Sequence, residues 1–400
     1  GSFKGLVVPM GDQMPEISLT GELESGDLQV LLSSMGIAER ILPEGQSRLA
    51  AGFGLRGGAG GLQVDELRGQ LGDTDFALAG SARWEGERPV LEVRGDLGSI
   101  RADEWHELYS DDDSGAFTDV SLQPLLEILR GFDGALDLGV DEIWLDKERL
   151  SDLRIQARLE DGRLEIDRAG LAAEGQVLVM SAALDSASDC PAFNADFRLE
   201  NLDTEWLERL AGEPFPMHAR AGLAAGTLQS CGMTLEAHRD SAAMAVETEQ
   251  IIPSRDGQAL PVTIGRAKGE FAWRQPGRVD LQARFGGESI SGEFSFGSLE
   301  QLASGGDWPI DARAAGVGSV LKVKGPVALG AEGAAPAFDL AAELESPQPE
   351  KITRWAGFEP QGSLPLVLSA RIRSDSTAYL LEIDEARLGL SDLSGRIEWA

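Results

Sequence analysis

Hydrophobic residues recur at every second position along most of the chain, and this spacing limits what it can fold into. In residues 191–200, for example, Phe193, Ala195, Phe197 and Leu199 alternate with polar side chains. Successive side chains of a β-strand point to opposite faces, so a half-buried strand has this period of two, whereas a helix has a period of 3.6. About twenty such segments, separated by Gly, Asp, Ser or Pro, predict a mostly β protein with an antiparallel sheet.

Helical spacing is confined to a few short stretches between these segments. We predict short capping helices at about 27–41, 101–109, 120–132, 203–212 and 349–358. Several begin with Asp, Glu or Pro, residues that suit the unpaired N–H groups and positive end of a helix.

The strands and helices repeat as larger, irregular units. A proline, an alternating strand and a short helix follow one another from Pro15, Pro89, Pro191 and Pro336. Each unit is too open to bury its own apolar face, so neighbouring units are expected to stack. The last unit stops after Trp399, where the others continue. We therefore expect a piece of a longer protein, with an exposed sheet edge at Trp399.

The chain is strongly acidic, which excludes some classes of partner. It has 35 Lys and Arg against 67 Asp and Glu, a net charge of −32. This charge disfavours nucleic acid and anionic membrane surfaces, which both bind Lys and Arg. No apolar run approaches the ~18 residues of a membrane-spanning helix, and no signal-peptide pattern opens the sequence.

The residues that usually carry chemistry are few and scattered. His106, His218 and His238 are far apart, and no nucleophile motif accompanies them. Cys190 and Cys231 cannot form a four-cysteine metal site; they could form a disulfide or be two buried thiols, and the sequence leaves both open. The glycines of residues 52–57 match a dinucleotide-binding pattern, but the flanking segments favour a hairpin turn. We predict no enzyme activity, no cofactor and no metal.

The apolar face is then the one feature that suggests a function. It could be the core of a closed sandwich, or the inner face of an open, curved sheet that a ligand covers. Exposing an acyl chain to water costs ~0.8 kcal/mol per CH₂, so a long apolar trough could shelter such chains without chemistry.

A family resemblance favours the second possibility. The run from Gly134 to Leu145, followed by Leu150 to Leu164, resembles the AsmA family of Gram-negative envelope proteins, and the similarity extends over about residues 130–212. The resemblance implies an elongated, curved periplasmic β-groove of repeated units, anchored in the inner membrane. It further implies transfer of phospholipid between the inner and outer membranes, with membrane-embedded partners at the ends of the full-length protein. No catalytic residue comes with the family.

We accordingly predict five divisions: 1–110, β-groove repeat units with short helices; 111–119, an acidic linker or loop; 120–212, an AsmA-like unit; 213–300, a divergent β unit; and 301–400, a β unit truncated at its end. The residues predicted to line the lipid-binding face are Leu153, Ile155, Ala157, Leu159, Phe193, Ala195, Phe197, Leu199, Val279, Leu281, Phe285, Phe338, Leu340, Leu344, Leu366, Leu368 and Ile372.

Two other functions stay open at this point. The chain could be an assembly factor for outer-membrane proteins, in which sheet edges template client strands. It could also be a polysaccharide-active enzyme on a β-helix, although Asn194 and Asn201 are its only asparagines and cannot form the asparagine ladders common in that fold.

Overall fold

The computed structural model describes residues 2–10, 13–28, 30, 48–84, 86, 88–102, 121–145, 147–211, 218–255, 258–328, 337–351, 364–374 and 378–399. The predicted linker at 111–119 lies outside these residues, as do most of the predicted helices at 27–41, 101–109 and 349–358. The prediction of a mostly β protein built from antiparallel sheet with short helices is confirmed.

The chain divides into two compact units. Unit 1 comprises Gly1–Leu199, Trp206–Glu213 and Gln229–His238, and unit 2 comprises Glu200–Glu205, Pro214–Leu228 and Arg239–Ala400.

The strands of unit 1 follow one another in the sheet in the order of the sequence. They are β1 (Ser2–Met10), β2 (Gln13–Ser25), β3 (Leu49–Gly58), β4 (Gly61–Leu71), β5 (Thr74–Arg83), β6 (Val90–Arg101), β7 (Asp133–Leu145), β8 (Glu148–Glu160), β9 (Arg163–Ala173) and β10 (Gln176–Asp185), and most of β11 (Ala192–Asp203) also belongs to this unit. From β1 to β10 each strand pairs with the next. All these pairs are antiparallel except β6 with β7, which is parallel.

Unit 2 is built in the same way. Its strands are β12 (His218–Cys231, in large part), β13 (Ala243–Arg255), β14 (Gln258–Ala259), β15 (Val262–Ala272), β16 (Gly277–Phe285), β17 (Glu288–Phe296), β18 (Trp308–Gly316), β19 (Ser319–Ala328), β20 (Ala337–Ser346), β21 (Leu366–Ser374), β22 (Tyr379–Leu388) and β23 (Ser391–Trp399). Strand β13 pairs with both β14 and β15, and from β15 to β23 every consecutive pair is antiparallel. Strand β23 pairs with β22, and the side chains from Ser391 to Glu398 are exposed.

Four short helices are complete within the described residues: α1 (Gln123–Gly131), α2 (Thr204–Ala211), α3 (Leu235–Ser241) and α4 (Leu299–Ala303). The first two confirm the helices predicted at 120–132 and 203–212. The sequence analysis missed α3 and α4 because they are too short to show a clear period of 3.6. Helix α4 depends on a local signal instead: Ser298 and Gln301 form a capping box.

The prediction of a hairpin turn at the glycine-rich residues 52–57 is wrong. It lies inside strand β3, and the turn follows at residues 59 and 60. Phe53 and Leu55 keep the alternation of this strand, and the glycines on either side of them do not end it.

A disulfide joins Cys190 and Cys231, with a Cα–Cα distance of 5.6 Å. Beside it, the Gly232 N–H donates a hydrogen bond to the Pro191 carbonyl oxygen over 3.1 Å. The bridge therefore ties the segment that leads into β11 to the end of β12.

Removing this bridge should lower stability. Chain-entropy arguments give about 4 kcal/mol for a loop closed across 41 residues. We expect the Cys190→Ser/Cys231→Ser double variant to unfold at a lower urea concentration than the oxidised protein. The oxidised protein treated with reductant should behave like the double variant. Equal midpoints with and without the bridge would contradict this expectation.

A second prediction concerns a strained hairpin turn. Two-residue turns with positive φ at both positions connect β8 to β9 at Asp161–Gly162 and β18 to β19 at Val317–Gly318. Asp and Asn tolerate this conformation, whereas a β-branched residue does so at a cost. Val317→Asn should therefore stabilise the protein by about 1 kcal/mol. As a control, Val323→Asn in the middle of β19 should destabilise the protein. A denaturation midpoint for Val317→Asn below that of the wild type would refute the argument.

Candidate functional site

The pairing register of unit 1 aligns apolar residues into rows that cross nine strands. One row contains, from β2 to β10, Leu19, Leu55, Val64, Gly80, Val93, Leu136, Ala157, Ile166 and Ala182. The rows on either side have the same character. The first contains Ile17, Gly57, Leu62, Ala82, Leu91, Gly134, Leu159, Leu164 and Leu184, and the second contains Gly21, Phe53, Leu67, Leu78, Gly95, Leu138, Ile155, Ala169 and Met180.

Unit 2 repeats this arrangement over ten strands. From β13 to β23, passing over β14, one row contains Val246, Gly269, Val279, Phe294, Ala312, Val323, Ala342, Ala370, Ile383 and Gly395. The neighbouring row contains Thr248, Ala267, Leu281, Gly292, Ala314, Leu321, Leu344, Leu368, Ala386 and Leu393. We call the face that carries these rows in each unit its apolar face. The rows contain no charged residue.

The predicted lining residues lie on five strands. Leu153, Ile155, Ala157 and Leu159 are on β8, Phe193, Ala195, Phe197 and Leu199 on β11, Val279, Leu281 and Phe285 on β16, Phe338, Leu340 and Leu344 on β20, and Leu366, Leu368 and Ile372 on β21. The register brings the last two groups together, because Leu340 lies opposite Ile372 and Leu344 opposite Leu368.

The sequence analysis missed the rest of the apolar face. In unit 1 the rows continue through β9, β10 and β2–β7, and in β2–β7 glycine and alanine weaken the alternation and a bulge between Val64 and Leu67 shifts its phase. In unit 2 they continue through β13, β15, β17–β19 and β22–β23. The signal that identifies these residues is their pairing partners, which a single strand read by itself does not reveal.

The apolar face of unit 2 is only half covered. The buried hydrophobic residues of unit 2, among those the structure describes, are the alanines Ala221, Ala224, Ala283 and Ala370, of which Ala283 and Ala370 lie on the apolar face. Larger ones such as Leu281, Phe294 and Leu344 are half-buried, and Leu321 is 40 % exposed. A closed sandwich would bury such residues between two sheets. The face is therefore not the interior of an ordinary core.

In unit 1, deep burial of large apolar residues is local. Within the described part of this unit, it occurs at Leu126 and Leu129 of α1, Trp206 of α2, Val140 of β7 and Leu159 of β8. By contrast, Ile17, Leu62 and Val93 are 40 % exposed or more.

The opposite face of each sheet is polar and carries ion pairs between neighbouring strands. The Arg56 guanidinium bonds the Asp65 carboxylate, Arg154 pairs with Asp137 over 2.8 Å, and Arg371 pairs with Asp339 over 2.6 Å. These side chains are largely exposed, so each pair adds little stability. Their main effect is to make one face hydrophilic while the other stays apolar.

Two of these ion pairs lower the pKa of the carboxyl group in the pair. The hydrogen bond from Arg371 lowers the pKa of Asp339, and the charges of Arg371 and Arg373 act in the same direction. Arg56 lowers the pKa of Asp65 in the same way. A carboxyl group whose pKa is lower in the folded state stabilises the fold above its unfolded pKa of about 3.9, and this contribution is lost as the pH falls through the folded value.

Arg371→Gln should therefore raise the pKa of Asp339, because it removes the hydrogen bond and one positive charge. A titration followed by carboxyl ¹³C chemical shifts measures this directly. Arg56→Gln, which is distant in sequence and belongs to unit 1, should leave Asp339 unchanged. An unchanged Asp339 pKa in Arg371→Gln would refute the assignment of the partner.

A depression of about 1050 Å³ crosses strands β2–β7 of unit 1. Its lining includes apolar Ile17 and Leu62 together with charged Arg56, Arg83 and Glu92. This mixture does not define one ligand chemistry, whereas the rows of the apolar face do.

Phenylalanine rings fold over glycines on the apolar face of unit 2. A Cβ atom on Gly269 would lie 2.5 Å from Cε2 of Phe271, and one on Gly292 would lie 2.7 Å from Cε2 of Phe294. Only glycine leaves room for these rings, which lie along the sheet and give it a broad apolar floor.

The described residues include no group of three or more His, Cys, Asp or Glu placed to hold a metal ion. The His238 ring and the Ser230 hydroxyl share a hydrogen bond of 2.9 Å. Burial lowers the pKa of His238. A serine hydroxyl hydrogen-bonded to a histidine is the kind of pair that nucleophilic catalysis uses.

No family model, curated protein or solved structure matches this chain. Within the described residues, no helix combines the length and the hydrophobicity needed to cross a membrane.

Proposed function

We propose that the chain is a lipid-binding segment that shelters acyl chains on its apolar faces. The observation that carries this proposal is the set of apolar rows, which cross nine strands in unit 1 and ten in unit 2 and are only half covered. In the cellular role we propose, it moves phospholipid between the two membranes of a Gram-negative envelope.

Energetics support an acyl chain as the ligand. Transferring a 16-carbon chain into water costs about 12 kcal/mol at ~0.8 kcal/mol per CH₂. Half-exposed leucine, valine and phenylalanine side chains also gain from being covered. Both surfaces therefore lose contact with water when they meet, and no hydrogen-bonding group needs to be matched.

The disulfide supports an oxidising compartment. Bridges such as Cys190–Cys231 persist in the periplasm and outside cells but are rare in the cytosol. The resemblance of residues 130–212 to the AsmA family agrees with a periplasmic location. The net charge of −32 would keep a long β protein soluble there and discourage pairing between sheet edges.

Substitutions on the two faces of one strand test the proposal. Leu281 lies on the apolar face of β16, between Ala267 and Gly292, while the next residue, Gln282, is exposed on the polar face. Leu281→Asp places a charge where acyl chains would lie, and Gln282→Asp adds the same charge on the other side. We expect the wild type and Gln282→Asp to co-purify with the same amount of phospholipid, and Leu281→Asp to co-purify with less, because unit 1 keeps its own apolar face.

A second pair of variants repeats the test on β11. Phe197→Asp should lose lipid, whereas Asn194→Asp, exposed on the opposite face, should keep it. Circular dichroism and denaturation midpoints establish that each variant is folded. Lipid is quantified by mass spectrometry of the organic extract.

A lipid-free wild type, or equal lipid in all folded variants, would contradict the proposal. A lipid-free protein that binds unfolded outer-membrane strands would instead favour the assembly-factor function. In that case Leu281→Asp would leave the binding of client strands intact, because sheet edges pair through the backbone.

A further inference from the structure

One edge of the apolar face in unit 2 is aromatic. At this edge β15 and β17 end, and β16, β18, β20 and β22 begin. We call it the aromatic rim, and its strand residues are Phe271, Phe296, Trp308, Phe338 and Tyr379. Ring centroids are 5.7 Å apart for Phe271–Phe296, 5.0 Å for Phe296–Trp308 and 6.3 Å for Phe338–Tyr379.

The strands end differently at the opposite edge, which we call the serine rim. There Gly316 lies opposite Ser319, and Ser346 lies opposite Leu366. The Ser319 hydroxyl donates a hydrogen bond to the Ser346 hydroxyl over 2.8 Å. The strand residue with an aromatic ring at this edge, among the described ones, is Phe285.

Polar groups lie immediately beyond the aromatic rim. The indole N–H of Trp308 donates to the Ser298 carbonyl oxygen over 3.1 Å. The guanidinium of Arg239 lies over the Trp273 ring, 5.0 Å from its centroid, and Arg274 pairs with Asp240 over 2.5 Å. Polarity therefore changes over a short distance from aliphatic rows, through aromatic rings, to charged groups. Trp and Tyr are favoured at the same kind of boundary in membranes, where the ring is in apolar surroundings and its polar tip is wet.

The apolar face is wide enough to hold one layer of lipid. Along β20, the apolar positions from Phe338 to Leu344 span about 20 Å at ~3.3 Å per residue. The hydrocarbon of one bilayer leaflet is about 15 Å deep, half of the ~30 Å core. An acyl chain lying along the strands would therefore fit between the two rims.

We propose that unit 2 binds each phospholipid with its acyl chains along the strands, its headgroup at the aromatic rim and its methyl ends at the serine rim. This inference rests on the proposed function and adds an orientation to it. The aromatic rings sit at the level of the ester groups, and the charged side chains beyond them face the headgroup.

Photo-crosslinking with two lipids tests the orientation. One phosphatidylethanolamine carries a diazirine on its headgroup, and the other carries it at the end of an acyl chain. Each is loaded onto the purified chain and irradiated, and the labelled peptides are identified by mass spectrometry. We expect the headgroup probe to label residues around 273–277, 297–308 and 378–380 about tenfold more than residues around 286–290, 316–320 and 388–391. The acyl-end probe should show the reverse preference.

Two variants assign the preference to the rim. Trp308→Ala and Tyr379→Ala should reduce the tenfold enrichment, and Lys324→Ala, on the polar face, should leave it unchanged. Equal labelling of both rims by the headgroup probe, or enrichment at the serine rim, would overturn the orientation while leaving lipid binding intact. Labelling of neither rim by either probe, together with no bound lipid, would refute the proposed function as well.

Discussion

The registered pairing of neighbouring strands is the interaction on which the structure of each unit depends. Backbone hydrogen bonds fix which residues lie opposite one another, and the two-residue period of a strand then assigns each side chain to a face. A shift of one residue at Leu136 or Leu281 would place charged residues of one strand beside leucines of the next. Apolar rows that persist across nine or ten strands show that the sequence specifies this register strand by strand.

A single-layer sheet has to be stabilised without the usual second layer. Much of its apolar area stays half exposed, so hydrophobic burial between side chains of adjacent strands replaces burial in a core. In the described part of unit 1, deep burial of large apolar side chains occurs at a few points, such as Leu126 on α1 and Trp206 on α2. The Cys190–Cys231 bridge adds a covalent restraint. A ligand that covers the apolar face would itself contribute stability, since whatever binds only the folded state favours it.

Much of this architecture could be predicted from the sequence, but not all of it. The alternation at 153–159, 279–285 and 338–344 continues without interruption along each strand, and helices α1 and α2 have clear amphipathic spacing. The rows through β2–β7 were hidden because glycines and bulges interrupt the period, as at Val64 and Leu67. The parallel pairing of β6 with β7 and the disulfide both join residues distant in sequence, and local spacing carries no information about such contacts. The aromatic rim likewise depends on which strand ends meet.

The same physics explains why a site without polar anchors could still be specific. The apolar rows run from strand to strand without a break, so an acyl chain could lie at many equivalent positions along the sheet. Binding would therefore need no fixed pocket. Selectivity would then arise at the edges, where Trp308 and Tyr379 mark a boundary between apolar and wet surroundings. The polar face, covered with pairs such as Arg371–Asp339, would exclude lipid from the other side.

Thiol accessibility on the two faces of β18 tests the central claim most directly. Ala312 belongs to the apolar row that contains Val279 and Val323, and its neighbour Arg313 is exposed on the polar face. If the face is open and binds lipid, Ala312→Cys reacts with a water-soluble maleimide in lipid-free protein and becomes protected when phospholipid is loaded. Arg313→Cys should react equally under both conditions. A thiol at position 312 that is already protected without lipid, or that lipid fails to protect, would contradict an open lipid-binding face.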